Sequence, residues 1–412
     1  MRSLLVVGSG LAGLSAVRAA REVGFTGPVR VLGAEPGRPY DRPPLSKDYL
    51  VGRASAEDLG LDAPQEDLDA EWRTGSAVAL ERGRGVRTAD GELLEADGVV
   101  LATGASARTL PQLPHDADNV LVLRTRDDAD RLRAELAPGR HLVVVGAGLI
   151  GCEVAATASE LGCRVTLLTP EDLPLERLYG AGLAPRLLDL HRSRGTTVRT
   201  GVSIAGATVT ADRATAVRLG TGEEVPADVV LVAVGAEPGT AWLEGAGLDL
   251  EDGVRCDASG RVLAGGVPVP GLVAVGDCAA WWDPHLQRHH RTQHWTDALE
   301  RPARAVAALL GVPAPARKPY LPYFWSEQHG HRVQVAGYPS LADGVEVETD
   351  LGDAGFLAVY RRAGTPVAVL SLDQPRPFVR WRKALVADLG QRPEGPATDG
   401  PSTDVPTEGA AA

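Results

Sequence analysis

The chain has 412 residues, of which 44% are hydrophobic and 23% are charged, and its formal net charge is −12. This length exceeds what one hydrophobic core holds, which predicts two or three domains, and the apolar content excludes fibrous and wholly disordered proteins. The negative charge repels phosphate backbones and anionic lipid, so we expect neither a nucleic-acid partner nor a membrane partner.

The chain opens directly on an apolar strand pattern at residues 4–7, without the pattern of a signal peptide. The apolar runs 142–158 and 262–280 are interrupted by glycine, proline or acidic residues, which excludes a membrane span of about 20 apolar residues. The cysteines show no CxxC spacing and no histidine partner at metal-ligand spacing, which predicts buried free thiols and no metal site at Cys152, Cys163, Cys256 and Cys278. These features predict a cytoplasmic protein.

Two segments share one pattern, a β-branched apolar run followed by GxGxxG and an alanine-rich helical stretch, at residues 4–20 and 142–158. This strand, turn and helix context is the one that the dinucleotide-binding fingerprint requires. The first glycine makes the tight turn, the second admits a pyrophosphate, and the third lets the helix pack on the strand. The expected nucleotide contacts are Gly8, Gly10, Leu11, Ala12 and Gly13 in the first glycine-rich loop and Gly146, Gly148, Ile150 and Gly151 in the second.

The strand that follows each loop indicates which nucleotide the loop binds. After the first loop, the strand at 29–34 ends at Glu35, 22 residues beyond Gly13, where a carboxylate can hold ribose hydroxyls. After the second loop, the strand at 164–168 ends at Thr169, with Glu171 just beyond and no arginine directly after the strand end. An acid here repels a 2′-phosphate, so we expect NADH, with NADPH less favoured.

Three more apolar strands end in small-residue turns, at 98–101, 229–234 and 272–275. The turns contain Ala102, Thr103 and Gly104 after the first strand, Gly235 after the second, and Gly276 and Asp277 after the third. A helix is predicted at 292–310, with Pro302 expected to kink it or to mark its start. A proline-rich linker from residue 313 then leads to short alternating strands at 333–336, 356–360 and 367–370, which predict a third domain.

Two further motifs are more specific: residues 38–47 read RPYDRPPLSK, and residues 324–328 read FWSEQ. Together with the two glycine-rich loops, they resemble the FAD-dependent NADH:ferredoxin reductases of bacterial oxygenase systems, a two-dinucleotide-binding flavoprotein family, over residues 1–388. The resemblance implies an α/β fold, in which two Rossmann-like three-layer dinucleotide-binding domains of the glutathione reductase type precede a C-terminal α+β domain.

The same resemblance implies domain boundaries. An FAD-binding domain is expected at 1–111 and 235–316, with an NAD(P)H-binding domain inserted at 112–234. A C-terminal reductase and interface domain is expected at 317–390. The segment 391–412 is rich in proline, glycine and acids and is expected to be a disordered tail.

The resemblance also implies a site. Lys47 is expected beside the hydride-accepting flavin nitrogen, paired with Glu153, and Trp325 is expected over the face where flavin and nicotinamide meet. An ammonium there stabilises the charge that arrives with hydride, and the chain has only three lysines among its 42 basic residues. Asp277 is expected at the ribityl or pyrophosphate part of FAD. The remaining expected cofactor contacts are Arg42, Pro43, Val78, Arg108, Arg177 and Trp295.

The expected reaction takes hydride from NADH onto FAD and passes single electrons to a ferredoxin, which serves a cytochrome P450 or a ring-hydroxylating oxygenase. Related flavoproteins use a cysteine near the flavin, but the first 151 residues contain none. A basic docking face for an acidic ferredoxin is one interpretation, and scattered surface arginines are the other, for Arg288, Arg291, Arg361, Arg362, Arg376, Arg380, Arg382 and Lys383.

Other functions stay open at this point. A rubredoxin reductase or the flavoprotein subunit of a nitrite reductase shares the same core and differs in its partner. An NADH-sensing flavoprotein of the apoptosis-inducing-factor type is an alternative from another class. The histidines at 285, 289, 290 and 294 include i, i+4 pairs that suit a metal only if the segment is helical, and an exposed polar loop is the favoured interpretation.

Overall fold

The computed structural model describes residues 1–61, 68–81, 85–316 and 319–391. The first part of the chain carries helices α1 (Leu11–Glu22) and α2 (Asp48–Val51). Its strands are β1 (Leu4–Val7), β2 (Val29–Gly33), β3 (Ala70–Thr74), β4 (Ala77–Glu81), β5 (Gly85–Thr88), β6 (Leu93–Glu95), β7 (Gly98–Leu101) and β8 (Ala105–Ala107).

The second part, which follows β8, carries helices α3 (Arg126–Glu135), α4 (Leu149–Glu160), α5 (Glu176–Tyr179) and α6 (Ala184–Ser193). Its strands are β9 (Val120–Leu121), β10 (His141–Val145), β11 (Arg164–Leu168), β12 (Thr197–Arg199), β13 (Ile204–Thr210), β14 (Arg213–Leu219), β15 (Glu224–Pro226) and β16 (Val229–Val232).

The third part carries helix α7 (Trp295–Leu310) and strands β17 (Ala236–Pro238), β18 (Val254–Cys256), β19 (Arg261–Ala264), β20 (Val267–Ala274), β21 (Ala279–Asp283) and β22 (Arg288–Arg291). The last part carries strands β23 (Tyr323–Gln328), β24 (His331–Gly337), β25 (Gly344–Asp350), β26 (Phe356–Arg362) and β27 (Thr365–Leu372), followed by helix α8 (Pro375–Gln391).

The first sheet has nine strands in the order β22-β21-β18-β19-β20-β7-β1-β2-β3. Its centre is parallel: β1 pairs with β2 on one side and β7 on the other, and β20 pairs with β7. All four residues of β1 and of β7 are buried, as expected for parallel strands covered on both faces. The first and third parts of the chain, which are separated by the second part, therefore build one sheet together.

The second sheet is wholly parallel, in the order β12-β11-β10-β16-β9, and comes entirely from the second part of the chain. The chain leaves the first sheet through β8 and returns through β17, and these two strands pair antiparallel, with Ser106 opposite Glu237. The second sheet is thus an insertion into the first, and the two crossings lie side by side.

The third sheet is antiparallel, in the order β23-β24-β27-β26-β25. It contains the three alternating strands that the sequence predicts, and β23 carries the FWSEQ motif. Phe378 of α8 is buried in the core of this unit with Tyr323 and Leu357. The predicted fold class, two Rossmann-like units and a C-terminal α+β unit, is confirmed.

One prediction for a single element turns out differently, and another lies mostly outside the described residues. The helix predicted at 292–310 begins at Trp295, and Pro302 lies inside it rather than at its start. Gln391 ends α8, and the rest of the expected tail lies outside the described residues. Within the described part of the chain, no helix is long and apolar enough to cross a membrane.

Candidate active site

The first glycine-rich loop joins β1 to α1, and its glycines are needed for different reasons. Gly8 has φ +119°, and a Cβ there would lie 2.0 Å from the Ala102 carbonyl oxygen. A Cβ on Gly13 would lie 1.9 Å from the Gly8 carbonyl oxygen. A Cβ on Gly10 would meet no protein atom within 4 Å. Gly8 and Gly13 are therefore required by the fold, whereas Gly10 leaves space next to the N-terminus of α1.

The second glycine-rich loop joins β10 to α4 and repeats this geometry. Gly146 has φ +109°, and a Cβ there would lie 2.3 Å from the Ala233 carbonyl oxygen, while a Cβ on Gly151 would lie 2.1 Å from the Gly146 carbonyl oxygen. A Cβ on Gly148 would again meet no protein atom within 4 Å. The chain therefore contains two helix N-termini with open space for a pyrophosphate.

One cavity of about 700 Å³ contacts both helix N-termini. It extends from Glu35 to Trp325 and includes Leu149 and Ile150 at the start of α4. Its volume lies in the range of about 300–1,000 Å³ that is typical of ligand sites. The predicted site residues that line it are Gly8, Gly10, Leu11, Ala12, Glu35, Arg42, Pro43, Lys47, Ala102, Thr103, Gly104, Ile150, Glu153, Gly276, Asp277, Trp295 and Trp325.

The other predicted site residues do not line this cavity, for several reasons. Val78 points away on β4 and is 48% exposed, while its neighbour Ala77 faces the cavity. The Arg108 guanidinium forms an ion pair with Glu237 at 3.4 Å. The remaining predicted residues that do not line the cavity are Gly13, Gly146, Gly148, Gly151, Thr169, Glu171, Arg177 and Gly235.

At the centre of the cavity wall, the Lys47 Nζ donates a hydrogen bond of 2.6 Å to Glu153 Oε2. Lys47 follows the short 3₁₀ helix Pro43–Ser46, and Glu153 lies in the second turn of α4. Both side chains are largely buried, with 13% and 4% of their surface exposed. Burial of an isolated charge is costly in free energy, and the opposite charge of each residue offsets this cost for the other.

Two serines complete the surroundings of Glu153. Ser46 Oγ donates to Glu153 Oε2 at 2.5 Å, and Ser326 Oγ donates to Glu153 Oε1 at 2.7 Å. Both serines are buried. The sequence analysis named neither as a site residue, although each lies inside one of the two specific motifs. Their position inside these motifs could therefore have identified both serines as candidate site residues.

At the far end of the cavity, Glu35 accepts hydrogen bonds from Tyr40 and Arg42, the latter at 2.5 Å. Burial acts to raise the pKa of Glu35, but the Arg42 charge and these two hydrogen bonds outweigh it, and the pKa lies below its ordinary value. Burial also raises the pKa of Tyr40 to about 12. Glu35 is therefore an ionised acceptor held in a fixed orientation, as ribose hydroxyls require.

Asp277 is paired with an arginine that the sequence analysis did not identify. Arg124 donates to Asp277 Oδ2 at 2.6 Å and to the Ala105 carbonyl oxygen at 2.8 Å. Arg124 comes from the inserted part of the chain, three residues after β9, and lies in no recognised motif. Only the packing of the two sheets brings it to the cavity.

The cavity ends at an aromatic group. The rings of Trp325 and Trp295 meet edge to face with centroids 6.0 Å apart, and Tyr323 stacks on Trp325 at 5.9 Å. Trp295 Nε1 donates to Asp41 Oδ1 at 2.7 Å. Burial is the main cause that raises the pKa of Asp41. This hydrogen bond connects α7 to the segment that carries Lys47.

The cysteines lie away from this chemistry. All four are free, all four lie in the described part of the chain, and none lines the cavity. Burial raises the pKa of the Cys152 thiol to about 12, and Cys152 is the residue directly before Glu153. A protonated, buried thiol is not a nucleophile, so the site has no redox-active cysteine.

The histidine segment is not helical. His289 and His290 lie in strand β22, where successive side chains point to opposite faces. The i, i+4 arrangement that a helical metal site requires is therefore not formed. Among the residues that the structure describes, no group of three or more potential ligands could hold a metal ion.

Comparison with known families decides the assignment. Residues 2–302 match the model of the pyridine nucleotide-disulphide oxidoreductase family, and residues 323–404 match the reductase C-terminal family. The chain belongs to the pyridine nucleotide-disulphide oxidoreductase family. The boundary between the two matched regions of this oxidoreductase lies between residues 302 and 323, and the third sheet begins at residue 323.

Similar oxidoreductases support the finer resemblance. The chain is 36% identical over 384 residues to the chlorobenzene dioxygenase ferredoxin reductase component of Cupriavidus sp., covering 90% of each chain. It is 33% identical over 400 residues to the putidaredoxin reductase CamA of Pseudomonas putida, covering 95% of this chain and 93% of that protein. The predicted resemblance to ferredoxin reductases of oxygenase systems is confirmed.

A solved structure agrees with this oxidoreductase over nearly its whole length. The covalent complex of putidaredoxin reductase with putidaredoxin contains a chain with a TM-score of 0.87 and 31% sequence identity. The match covers 94% of this chain and 93% of the other. The likeness therefore includes the arrangement of all three units.

Proposed function

We propose that this oxidoreductase is an NADH-dependent ferredoxin reductase that contains FAD and delivers electrons, through a ferredoxin, to an oxygenase or a cytochrome P450. The single observation that carries the proposal is that one cavity reaches the first glycine-rich loop and Leu149 and Ile150 of the second, and that the Lys47–Glu153 ion pair lines it. Two nucleotides bound at these loops would bring their reactive ends together there. The named relatives, reductase components of dioxygenase and putidaredoxin systems, support the same reaction.

The first loop and its cavity fit FAD. The open space at Gly10 and the N-terminus of α1 suit a pyrophosphate, and Glu35 is a fixed, ionised acceptor for ribose hydroxyls. Asp277, held by Arg124, supplies carboxylate oxygens further along the cavity. Arg42 orients Glu35 and also donates to the Arg124 carbonyl oxygen, at 2.8 Å. These residues are the proposed FAD contacts.

The second loop fits NADH. Gly148 leaves space at the N-terminus of α4, and Ile150 is exposed to the shared cavity. At the end of β11 the side chain of Thr169 is buried, so it offers little to a ribose, whereas the exposed Glu171 places a negative charge nearby. That charge supports the preference for NADH over NADPH.

Lys47 and Glu153 are the proposed reaction-centre residues. FAD, when bound, supplies hydride acceptance from NADH and one-electron release. The Lys47 ammonium stabilises negative charge that develops beside it, and Glu153 holds this ammonium in place. Because no cysteine lines the cavity, the protein provides no thiol to carry the electrons onward.

Trp325 lies where electrons would leave the site. It lines the cavity on one side, and the Arg332 guanidinium lies 5.7 Å from its ring centroid. Arg382 of α8 lies 4.4 Å from the ring centroid of Tyr323. We therefore assign the ferredoxin-docking face to α8, a basic surface next to the aromatic group.

Several arginines that the sequence analysis considered are less suited to docking. Arg361 pairs with Glu346 and Glu348, and Arg291 pairs with Asp252. The exposed basic residues that α8 presents are Arg376, Arg380 and Lys383. The cytoplasm, where NADH and ferredoxins are available, is the proposed location.

An anaerobic titration of the purified protein with NADH tests the proposal. The protein is expected to be yellow, to be bleached by NADH, and to reduce cytochrome c rapidly only when a ferredoxin is added. A colourless protein, or one whose cytochrome c reduction does not depend on ferredoxin, contradicts it. Fractionation of the source cells tests the cytoplasmic location.

A further inference from the structure

A continuous chain of hydrogen bonds leads from Glu153 through buried side chains to His329. Ser326 Oγ lies 2.7 Å from Glu153 Oε1, and Gln328 Nε2 lies 3.0 Å from Ser326 Oγ. His191 Nε2 lies 2.8 Å from Gln328 Oε1, and His329 Nε2 lies 3.1 Å from His191 Nδ1. The first four members are buried and come from α4, β23 and α6.

The direction of every bond in this chain follows from the chemistry of its atoms. Glu153, paired with Lys47, is an acceptor, so Ser326 must use its hydroxyl hydrogen as the donor to it. The serine oxygen then accepts from the amide Nε2 of Gln328, which can only donate. The amide Oε1 of Gln328 can only accept, so His191 carries a hydrogen on Nε2.

The second ring nitrogen of His191 completes the series. In a neutral ring with hydrogen on Nε2, Nδ1 is an acceptor, so His329 must donate to it from its own Nε2. Burial lowers the pKa of His191, and burial together with nearby positive charge lowers the pKa of His329 to about 4. Both rings are therefore neutral at neutral pH, as this arrangement requires.

In every hydrogen bond of the chain, the donor hydrogen is thus directed toward the Glu153 end. Aligned hydrogen bonds polarise one another and strengthen the last one, here the bond to the carboxylate. This bond also determines which oxygen of Glu153 remains for Lys47 and Ser46, since Ser326 occupies Oε1 and the other two contact Oε2. The orientation of the carboxylate, and with it the position of the ammonium, depends on the chain.

We propose that His191 is a positioning residue of the hydride-transfer site, acting through Gln328 and Ser326 to orient Glu153 and thereby Lys47. This inference rests on the proposed function. His191 touches neither nucleotide site: it lies on α6 and does not line the cavity. It links the inserted unit that carries the second glycine-rich loop to the third sheet.

Replacement of His191 by leucine tests the proposal, because leucine fills the buried space and offers no donor. In stopped-flow reduction of the FAD-loaded protein, we expect the limiting rate constant with NADH to fall about tenfold, from the weakening of a hydrogen bond to a charged group. The NADH concentration that gives half the limiting rate should change less than twofold, since the second glycine-rich loop is untouched.

The flavin midpoint potential supplies a readout other than activity. A displaced ammonium stabilises the reduced flavin less, so the potential of His191→Leu should become more negative than that of the wild type. His191→Gln places an amide N–H near the position of Nε2 and should restore both the rate constant and the potential. A purely structural role of His191 would not predict this rescue.

A matched control removes a different buried hydrogen bond between the same two units. Tyr360 of the third sheet donates to the Tyr179 carbonyl oxygen at 2.6 Å, and this bond is not part of the chain that ends at Glu153. Tyr360→Phe should therefore leave the rate constant and the potential unchanged. If His191→Leu does not fold, Gln328→Leu interrupts the same chain and should show the same two changes.

The outcomes separate this inference from the function it rests on. If the wild-type flavin is not reduced by NADH, the proposed function is wrong. If NADH reduces the wild type and the leucine variants match it in rate constant and potential, the role of His191 is refuted and the function stands. The role is also refuted if Tyr360→Phe reproduces their effect.

Discussion

Lys47 and Glu153 are 106 positions apart in the sequence, yet the Nζ of one lies 2.6 Å from Oε2 of the other. One residue belongs to the first sheet unit and the other to the helix of the inserted unit. This ion pair therefore joins the segment that precedes α2 to helix α4 at the wall of the cavity. A change in either residue should affect electron transfer between the nucleotides more than the binding of either nucleotide.

Lys47→Ala is expected to slow NADH-dependent flavin reduction by about a hundredfold, the effect of losing a charged donor worth roughly 3 kcal/mol. FAD retention should change little, because the first glycine-rich loop and Glu35 are intact. Stopped-flow absorbance at the flavin band measures the rate. Lys383→Ala, which removes an exposed lysine of α8, is the control and should reduce at the wild-type rate. Equal rates for Lys47→Ala and Lys383→Ala would rule out the proposed role.

Gly10 and Gly148 offer a paired test of which loop binds which nucleotide. Each has a φ near −78°, which alanine adopts freely, and open space where a methyl group would project. Gly10→Ala should fold normally and lose FAD affinity by tenfold or more, roughly 1.4 kcal/mol, since the methyl competes with a pyrophosphate. Gly148→Ala should retain FAD and instead raise the NADH concentration needed for half-maximal reduction.

Equilibrium dialysis for FAD and stopped-flow titration with NADH separate these two effects. Gly13→Ala serves as the contrast, because its Cβ would lie 1.9 Å from the Gly8 carbonyl oxygen. That variant should lose thermal stability as well as nucleotide. If Gly10→Ala retains FAD like the wild type, FAD does not bind at the first loop in the proposed way.

Glu171→Ala removes an exposed negative charge near the end of β11. We expect kcat/KM with NADPH to rise about fivefold, the effect of roughly 1 kcal/mol of repulsion between a carboxylate and a 2′-phosphate. kcat/KM with NADH should stay within twofold. Glu244→Ala, which removes an exposed acid outside the inserted unit, is the control. If the ratio of the two kcat/KM values is unchanged, Glu171 does not contribute to the preference.

The stability of the protein should depend on pH through His329. Burial of this residue, together with repulsion by Arg194 and by His191 and His331 when these rings are protonated, lowers its pKa to about 4 from an ordinary value of about 6.5. Between these two values the unfolded chain binds a proton that the folded protein does not, so stability falls as the pH drops through this window. Asp297 acts in the opposite direction, because burial raises its pKa to about 6.

The two contributions are separated by replacing His329. It has φ +54°, which asparagine tolerates, so His329→Asn keeps the turn between β23 and β24. The urea midpoint of this variant should fall less between pH 6.5 and pH 4 than that of the wild type. His115→Asn, at an exposed position, should follow the wild type. Parallel pH profiles for all three proteins would show that His329 does not titrate in this way.

The sequence by itself determined the two glycine-rich loops, the fold class and the family. These features depend on residues close together in the chain: a Cβ on Gly13 would collide with the carbonyl oxygen of Gly8 in the same loop. The buried strands next to these loops can also be predicted from the sequence, because a continuous β-branched apolar run is typical of a parallel strand that is covered on both faces. The specific motif at residues 38–47 added Lys47 and, through the resemblance, its partner Glu153.

Only the tertiary structure decided which side chains reach the cavity from elsewhere. Arg124 meets Asp277 across 153 positions, Ser326 meets Glu153 across 173, and His191 meets Gln328 across 137. Val78 does not line the cavity, because alternation along β4 turns it outward and turns Ala77 inward. Such contacts depend on how three separately formed units pack against one another, and no local pattern of residues encodes that packing.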